Sequence, residues 1–257
     1  MHVELSGKRV LITGASTGIG LAVAHRFAEA GAELVMLSES DTIYTAAKEV
    51  ESRWNRPVKA VICDISDRSA VRQQVGTIGH LDVLINNAGI EIFVPILDPD
   101  PVVEENFSRI ISVNLLGGFF VTREAVSHMN SGGRIIFTSS VWGKTAVAQH
   151  SGYCASKHGI IGMARSLSRE LGPRGITVNT VCPGWTETDM AMLNLDRMAE
   201  LEEREPQDLL KEQLSVQSIK SLMKPEDIAG IYVFLASEHA ASITGQAINV
   251  DRGELLG

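Results

Sequence analysis

A tyrosine and a lysine one helical turn apart are the residues of this chain whose chemistry stands out first. Tyr153 and Lys157 are four residues apart in a segment with a helical pattern, so both side chains project from one face. A phenol with an ordinary pKa near ~10 is a weak base at neutral pH, but a neighbouring ammonium group favours its ionised form. Such a pair could carry the proton that a carbinol loses when it is oxidised. Spacing alone favours a half-buried tyrosine beside a surface lysine, so the context of the pair decides its meaning.

A glycine-rich turn follows the first predicted strand. It runs Thr13-Gly14-Ala15-Ser16-Thr17-Gly18-Ile19-Gly20 and opens into an apolar helix pattern. Glycine allows a tight turn and close approach of a ligand, and free N–H groups at a helix start attract a pyrophosphate. Tight turns also need glycine where nothing binds, and the spacing departs from G-x-G-x-x-G. Phosphate binding and simple chain reversal are therefore equally supported by the turn alone.

Short apolar runs alternate with helix-length amphipathic stretches along the chain. Seven strands are predicted at 9–13, 34–37, 58–63, 83–85, 134–138, 176–181 and 247–250. Continuous apolar character predicts burial on both faces, and the intervening helices supply the crossovers that parallel strands require. The prediction is an α/β fold, a single-domain doubly wound (Rossmann-type) parallel sheet over residues 1–257 with helices on both faces. Residues 185–224 break the rhythm, and Pro206 makes one continuous helix there unfavourable. This segment is either a substrate lid or a solvated helical excursion.

Composition excludes several classes of protein. The net charge of −8 repels nucleic acid and anionic lipid surfaces, and no run of about 18 apolar residues or signal-peptide pattern is found. Cys63, Cys154 and Cys182 fit no disulfide or metal spacing, so we expect no metal and a reducing, cytoplasmic location.

Several motifs together resemble the classical short-chain dehydrogenase/reductase family over most of the chain. They are the T-G-x-x-x-G-x-G turn, Asn86-Asn87-Ala88-Gly89 after the fourth strand, Tyr153-x-x-x-Lys157, and Pro183-Gly184 followed by Thr188. Their order and their placement on the predicted elements are far more specific than any single match. The resemblance implies a nicotinamide-dependent enzyme that transfers hydride between its cofactor and a carbinol or carbonyl carbon.

The resemblance also implies which residues bind the cofactor. They are Gly14, Ser16, Thr17, Gly18, Ile19, Gly20, Ser38, Glu39, Asp64, Ile65, Asn87, Ala88, Gly89, Tyr153, Lys157, Pro183, Gly184 and Thr188. Asp64 would accept from the adenine amino group and Thr188 would hold the nicotinamide carboxamide. Asp64 could instead be a helix N-cap, and the asparagine pair could form a turn.

The expected cofactor is NAD. A 2′-phosphate needs cationic donors, and neither an arginine near Glu39 nor a basic residue near Thr17 is present in the sequence. Glu39 would repel that phosphate but accept hydrogen bonds from a free ribose diol, and Ser38 leaves room for it.

Four residues make up the catalytic set that the resemblance implies: Asn114, Ser140, Tyr153 and Lys157. Ser140 would hydrogen-bond the reacting oxygen and stabilise developing alkoxide, whereas Ser139 is the weaker candidate. Asn114 would support a water path to the lysine, although a structural asparagine explains it almost as well. The complete set argues against a catalytically inactive dinucleotide-binding regulatory protein, which is the alternative of another class.

The substrate is expected to be a small alcohol or ketone that contacts Glu91, Ser140, Trp142, His150, Tyr153 and Trp185. Cys182-Pro183-Gly184-Trp185 resembles 3-hydroxybutyrate dehydrogenases, but those enzymes hold a carboxylate with Gln, His and Lys where Glu91, Trp142 and His150 stand here. A sugar, polyol or cyclic polyhydroxy substrate is therefore preferred, with a hydroxy acid as the alternative. Glu91 could also point into solvent, and His150 could be a loop residue without contacts. The family resemblance further implies a homotetramer. It leaves open the effect of Arg252, which stands where the family's usual V-D-G-G ending has glycine.

Overall fold

Seven parallel strands form one sheet in the computed structural model, which describes residues 3–256. The strands are β1 (Arg9–Thr13), β2 (Glu33–Ser38), β3 (Val58–Ile62), β4 (Leu81–Asn86), β5 (Met129–Thr138), β6 (Thr177–Pro183) and β7 (Ala247–Val250). Their order in the sheet is β3-β2-β1-β4-β5-β6-β7, and every neighbouring pair is parallel. The predicted fold class is confirmed. Strand β5 begins earlier than predicted, since Met129 pairs with Leu81 ahead of a register shift.

Nine α-helices cover the two faces of the sheet in the described part of the chain. They are α1 (Gly18–Glu29), α2 (Thr42–Trp54), α3 (Arg68–Val75), α4 (Val102–Ile110), α5 (Gly118–Ala125), α6 (Ser151–Leu171), α7 (Asp189–Leu201), α8 (Pro206–Ser215) and α9 (Pro225–Ala236). A π-helical segment, Ile111–Gly117, joins α4 to α5.

Burial of both sheet faces explains why the strands carry unbroken apolar runs. Successive side chains of a strand point to opposite faces. Along β1, Val10 and Ile12 pack with α1, α2 and α9, whereas Leu11 packs with α3, α5 and α6. Strand β1 therefore contributes to two cores and has no solvated face to mark with polar residues, whereas the edge strand β3 exposes Lys59 and Ile62.

The continuous helical stretch Val102–His128 is long and apolar enough to cross a membrane by length and composition. Nearly half of its most apolar window is buried within the protein, where Val121 and Ala125 pack against the sheet. A core helix of a globular protein has these same properties.

The segment 185–224 forms two helices separated at Pro206, as the sequence predicts. Helix α7 ends at Leu201, and α8 begins with Pro206 at its first position, where the missing N–H is not needed. A small separate core holds the segment together, and it includes Trp185, Leu195 and Leu209. The segment thus packs as a unit on the molecule, and its role as a lid stays a prediction.

The strand order reverses between β1 and β4, and this reversal positions the functional residues. At such a switch point the loops on either side turn away from each other and leave a crevice at the carboxyl ends of the strands. The glycine-rich turn follows β1 and the asparagine motif follows β4, so both lie at that crevice.

Candidate active site

A cavity of about 480 Å³ lies at the carboxyl ends of the strands. All the predicted cofactor-binding residues except Gly20 line it, and so do Ser140, Glu91, Trp142 and Trp185. The predicted residues that do not line it are Gly20, Asn114 and His150. The structure therefore gathers residues from seven separate chain segments at one site.

The turn after β1 requires glycine at two positions. Gly14 and Gly18 have φ angles of +63° and +54°, in the left-handed region that other residues rarely adopt. A Cβ on Gly14 would also lie 2.7 Å from the Cα of Ala88. The turn delivers the N–H groups at the start of α1 to the cavity, where they suit a phosphate. Gly20 lies inside the first turn of α1 instead, and a side chain there would collide with Gly14 and Asn87.

The side chain of Asn87 ties three strand ends together. Its Nδ2 donates to the carbonyl oxygens of Thr13 and Gly14 at 3.2 and 3.1 Å, and its Oδ1 accepts from Thr138 Oγ1 at 3.2 Å. Asn86 is buried and donates to Thr122 Oγ1 instead. Asn86 is the last residue of β4 and no turn forms at 87–90, so the turn alternative for the asparagine pair is wrong, and Asn87, Ala88 and Gly89 line the cavity.

Thr188 lies next to the glycine turn. Its Oγ1 accepts from the N–H of Ala191 at 3.2 Å and caps α7, and its methyl group lies 3.3 Å from the place a Cβ on Gly18 would occupy. It therefore joins the segment 185–224 to the phosphate-facing turn.

At the far end of the cavity, Asp64 forms an ion pair that the sequence analysis missed. Its Oδ2 accepts from both terminal nitrogens of Arg109 at 3.2 Å, and its Oδ1 accepts from the N–H and hydroxyl of Ser66. Burial alone would raise the pKa of Asp64, but the hydrogen bonds from Ser66 and Arg109 outweigh it and hold the pKa below its ordinary value. The N-cap alternative for Asp64 is wrong, because Asp67 caps α3.

Arg109 also contacts Glu39, with 3.3 Å between Nη2 and Oε2. It extends from α4 across the loops after β2 and β3, and all three side chains are substantially exposed. A nearby cation stabilises two carboxylates at neighbouring strand ends, so the positions of Glu39 and Asp64 were the signal in the sequence for such a partner. The contact partner itself, 45 residues beyond Asp64, is set only by the fold.

Tyr153, Lys157 and Ser140 line the cavity at the end opposite Asp64. The Nζ of Lys157 lies 5.3 Å from the centre of the Tyr153 ring and donates to the carbonyl oxygen of Thr138 at 3.0 Å. Ser140 lies two residues beyond the end of β5, and its Oγ accepts from the N–H of Trp142 at 3.1 Å. Both members of the α6 pair are buried, so the half-buried tyrosine with a surface lysine is wrong.

Burial sets the acid–base properties of this pair. It raises the pKa of Tyr153, the negative charge of Glu91 raises it further, and the Ser140 hydroxyl opposes both. Burial lowers the pKa of Lys157 to about 8, against the opposing effect of Glu91. In the protein alone the phenol therefore keeps its proton at neutral pH, and a positive charge brought close to it would lower its pKa.

Asn114 is fully occupied by hydrogen bonds away from the cavity. Its side chain donates to Ile90 O and Ser156 Oγ at 2.9 and 3.1 Å, and accepts from Ile90 N–H at 2.8 Å. It belongs to the π-helical segment, a local widening of the helix that is frequent at functional sites. Asn114 thus fixes the loop after β4 to α6, as the structural alternative predicts, and the water path stays a prediction.

The substrate side of the cavity is aromatic. Trp142 packs edge-on against both Trp185 and Tyr153, with ring centres 5.9 and 6.1 Å apart. The Glu91 side chain is only 8% exposed and lies 3.3 Å from His150, so it does not point into solvent. His150 is fully buried behind Glu91 and Trp142. It therefore does not line the cavity, and it is not a free loop residue either.

These features together define an α/β protein whose site is built to bind a dinucleotide beside a buried tyrosine–lysine pair. A family model described as Enoyl-(Acyl carrier protein) reductase matches residues 14–254. The 3-oxoacyl-[acyl-carrier-protein] reductase FabG of Rickettsia conorii is 36% identical over 258 residues, which cover 99% of each chain.

Solved structures agree. A short chain dehydrogenase from Burkholderia cenocepacia in complex with NADP is 32% identical, with a TM-score of 0.85 and coverage of 98% of this chain and 99% of that one. L-sorbose reductase from Gluconobacter frateurii, complexed with NADPH and L-sorbose, is 27% identical, with a TM-score of 0.90 and full coverage of both chains. The chain belongs to the classical short-chain dehydrogenase/reductase family. It is an oxidoreductase with a nicotinamide dinucleotide as its cofactor.

Proposed function

We propose that the protein interconverts a secondary alcohol, such as a sugar or polyol carbinol, and its carbonyl compound, with NAD(H) as the cofactor and Tyr153 as the general acid/base. The observation that carries this proposal is the convergence of Tyr153, Lys157 and Ser140 in the cavity that the glycine turn also lines. A phenol, an ammonium group and a hydroxyl there match the needs of a reaction that moves a proton and a hydride together.

Each side chain has a distinct task. The nicotinamide, when bound, accepts or supplies the hydride. Tyr153 takes the proton of the carbinol during oxidation or gives one to the carbonyl oxygen during reduction. Lys157 stabilises the phenolate by its charge and holds the nicotinamide ribose, and Ser140 donates to the reacting oxygen. Because Tyr153 and Lys157 are buried, water competes little with these interactions.

NAD is proposed over NADP from the charge at the adenosine end. Glu39 and Asp64 bring two negative charges there and Arg109 brings one positive charge, so the end is net negative. Lys157 is the one basic residue among the described residues that line the cavity, and it lies at the other end. A 2′-phosphate adds about 1.5 to 2 negative charges and would meet this field unfavourably. The relatives with NADP or NADPH in their structures make the choice a direct question for experiment.

A neutral, hydroxyl-bearing substrate is proposed from the groups around Tyr153. Glu91 is a hydrogen-bond acceptor in the cavity, and Trp142 and Trp185 offer flat apolar surfaces to a ring. A carboxylate-bearing substrate such as 3-hydroxybutyrate would be repelled by Glu91 and by the net charge of the protein. Reduction of a 3-oxoacyl thioester is the second candidate, because FabG reductases are among the relatives.

A substrate panel tests the proposal. Purified protein is assayed at 340 nm with NAD and NADP against polyols, sugars, cyclic alcohols and hydroxy acids, and with NADH and NADPH against the ketones and a 3-oxoacyl thioester. We expect NAD-linked oxidation of polyhydroxy substrates. Preference for 3-hydroxybutyrate or for the thioester overturns the substrate class, and binding of NADH with no turnover at all indicates the inactive dinucleotide-binding protein.

We propose a cytoplasmic homotetramer that binds neither nucleic acid nor membranes. Support comes from the family resemblance, the net charge of −8, and exposed apolar side chains on the 102–119 stretch, namely Val102, Phe107, Leu116 and Phe119. Light scattering coupled to size-exclusion chromatography should give about four times the 27.8 kDa chain mass. A monomer at micromolar concentration contradicts this assignment.

A further inference from the structure

A buried histidine lies directly behind the active-site carboxylate. His150 is the N-cap residue of α6, three positions before Tyr153, and its side chain is completely buried. Its Nε2 lies 3.3 Å from Oε1 of Glu91, whose own side chain is 8% exposed and lines the cavity. Buried ionisable pairs cost desolvation free energy and are weak evidence for stability alone. A role in the site is therefore worth testing.

The polar contacts of His150 fix the orientation of its ring. Its Nδ1 lies 2.9 Å from the carbonyl oxygen of Ala148, which can only accept, so Nδ1 carries a hydrogen. Nε2 makes no hydrogen bond among the described residues, so its 3.3 Å approach to Oε1 of Glu91 is a close polar contact between buried groups. The imidazole therefore covers Oε1 of Glu91 on the side away from the cavity, in a buried place where polar contacts are few.

Aromatic rings hold the imidazole in this position. The ring centre of Phe93 lies 4.3 Å from that of His150, and the ring centre of Trp142 lies 5.4 Å away on the route to the cavity. These contacts leave the imidazole little freedom to turn away from Glu91. The pair is consequently a fixed unit that presents one carboxyl group to the cavity.

The titratable groups around the pair come from α6. They are Tyr153, Cys154 and Lys157, and the first and last of these experience the charge of Glu91. Lys144, at the end of the 141–143 turn, is directed away and donates to Ala247 O. Glu91 is thus near enough to the reacting phenol to contact a substrate held there.

We propose that Glu91 determines substrate specificity by accepting a hydrogen bond from a hydroxyl group on the carbon next to the reacting one, and that His150 positions its carboxyl group for this contact. This inference rests on the proposed function. Oε1 faces His150, whereas no protein donor among the described residues hydrogen-bonds Oε2. A vicinal diol or an α-hydroxy ketone supplies the missing donor. A substrate carboxylate at the same place would set negative charge against negative charge.

A matched pair of substrates tests the inference. Cyclohexane-1,2-diol, as its separate stereoisomers, and cyclohexanol share a ring and differ by one adjacent hydroxyl group. We expect the wild type to oxidise one diol isomer with a kcat/KM about tenfold to a hundredfold above that of cyclohexanol, the range for a hydrogen bond to a charged group. Glu91→Ala should abolish this preference through KM, so that the ratio of kcat/KM for the diol to kcat/KM for cyclohexanol falls to about one, whatever change the two substrates share.

Conservative variants separate positioning from folding. In Glu91→Gln the amide N–H₂ can donate to Nε2 and leave the amide oxygen in the cavity, so most of the preference should remain. His150→Phe keeps the aromatic volume but removes the polar contact with Oε1 of Glu91, so the preference should fall. His150→Gln, which can again donate to Glu91, should restore part of the preference. Glu105→Ala on the exposed surface of α4 is the control and should change nothing.

The outcomes are distinguishable. If the wild type oxidises cyclohexanol and the diols equally, or if Glu91→Ala lowers both equally, the inference is wrong while the proposed function stands. If Glu91→Gln loses the preference as fully as Glu91→Ala does, the acceptor role is wrong as well. If the wild type oxidises no alcohol with either cofactor, the proposed function itself fails.

Discussion

Replacing Glu39 by glutamine should shift the cofactor preference of the enzyme towards NADP. Glu39 follows β2, lines the adenosine end of the cavity and is 60% exposed, so its charge acts through a water-like medium. Two unit charges about 4 Å apart in such a medium interact with ~1 kcal/mol. A 2′-phosphate of about 1.5 to 2 charges is then opposed by ~1.5 to 2 kcal/mol. This converts to about a ten- to thirtyfold effect on relative kcat/KM.

The assay is steady-state kinetics with NAD and NADP at a saturating alcohol concentration, in low and high salt. In Glu39→Gln we expect kcat/KM with NADP to rise about ten- to thirtyfold. The value with NAD should change by no more than about threefold, since an amide oxygen still accepts from the ribose diol. High salt should reduce the difference between wild type and variant, because both charges are exposed.

A carboxylate outside the cavity provides the matched control. Glu29 at the end of α1 pairs with Arg26 at 2.6 Å and does not line the cavity, so Glu29→Gln should leave the cofactor ratio unchanged. An unchanged NADP value in Glu39→Gln, or a wild type that already prefers NADP, would refute the electrostatic reasoning.

Three further predictions follow from the site. Arg109→Ala leaves the charges of Glu39 and Asp64 without their cation, so the ratio of kcat/KM with NAD to kcat/KM with NADP should increase about tenfold. An unchanged ratio contradicts the assigned charge balance. Gly14→Ala puts a Cβ on a residue with positive φ and forces it against Ala88. It should weaken NADH binding at least about tenfold and lower the free energy of unfolding by ~1 to 3 kcal/mol. A fluorescence titration and a urea unfolding curve that match the wild type contradict the turn geometry. Carbonyl reduction needs protonated Lys157, whose pKa is lowered to about 8, so kcat/KM with NADH should be level below pH 8 and fall about tenfold per pH unit above it. A kcat/KM that stays level or rises above pH 8 contradicts the role of the charge.

The sequence was sufficient for the features that depend on local pattern. Unbroken apolar runs predict strands buried on both faces, and Val10 to Ile12 of β1 do face two cores. The glycine-rich pattern predicts a tight turn that includes Gly14 and Gly18, and both residues adopt positive φ angles in the structure. Alternating burial and turn geometry are encoded within a few neighbouring residues, so they can be read without the fold.

The features that the sequence analysis missed depend on contacts across the fold. Arg109 meets Glu39 and Asp64 because α4 crosses the ends of two strands, which no local pattern records. The burial of His150 follows from rings contributed by distant segments. Asn114 has a residue type equally suited to catalysis and to structure, and only its partners show how its side chain is used.

The turnover rate of the Tyr153→Phe variant tests most directly the central claim that Tyr153 moves the proton during hydride transfer. The variant keeps the aromatic ring that packs against Trp142 and removes only the hydroxyl group, so NADH binding, followed by fluorescence, should match the wild type. Turnover of the best substrate from the panel, followed at 340 nm, should fall at least about a hundredfold, the lower range for loss of a general acid/base. Turnover that survives undiminished, with cofactor binding intact, would contradict the assignment of Tyr153 as the group that moves the proton.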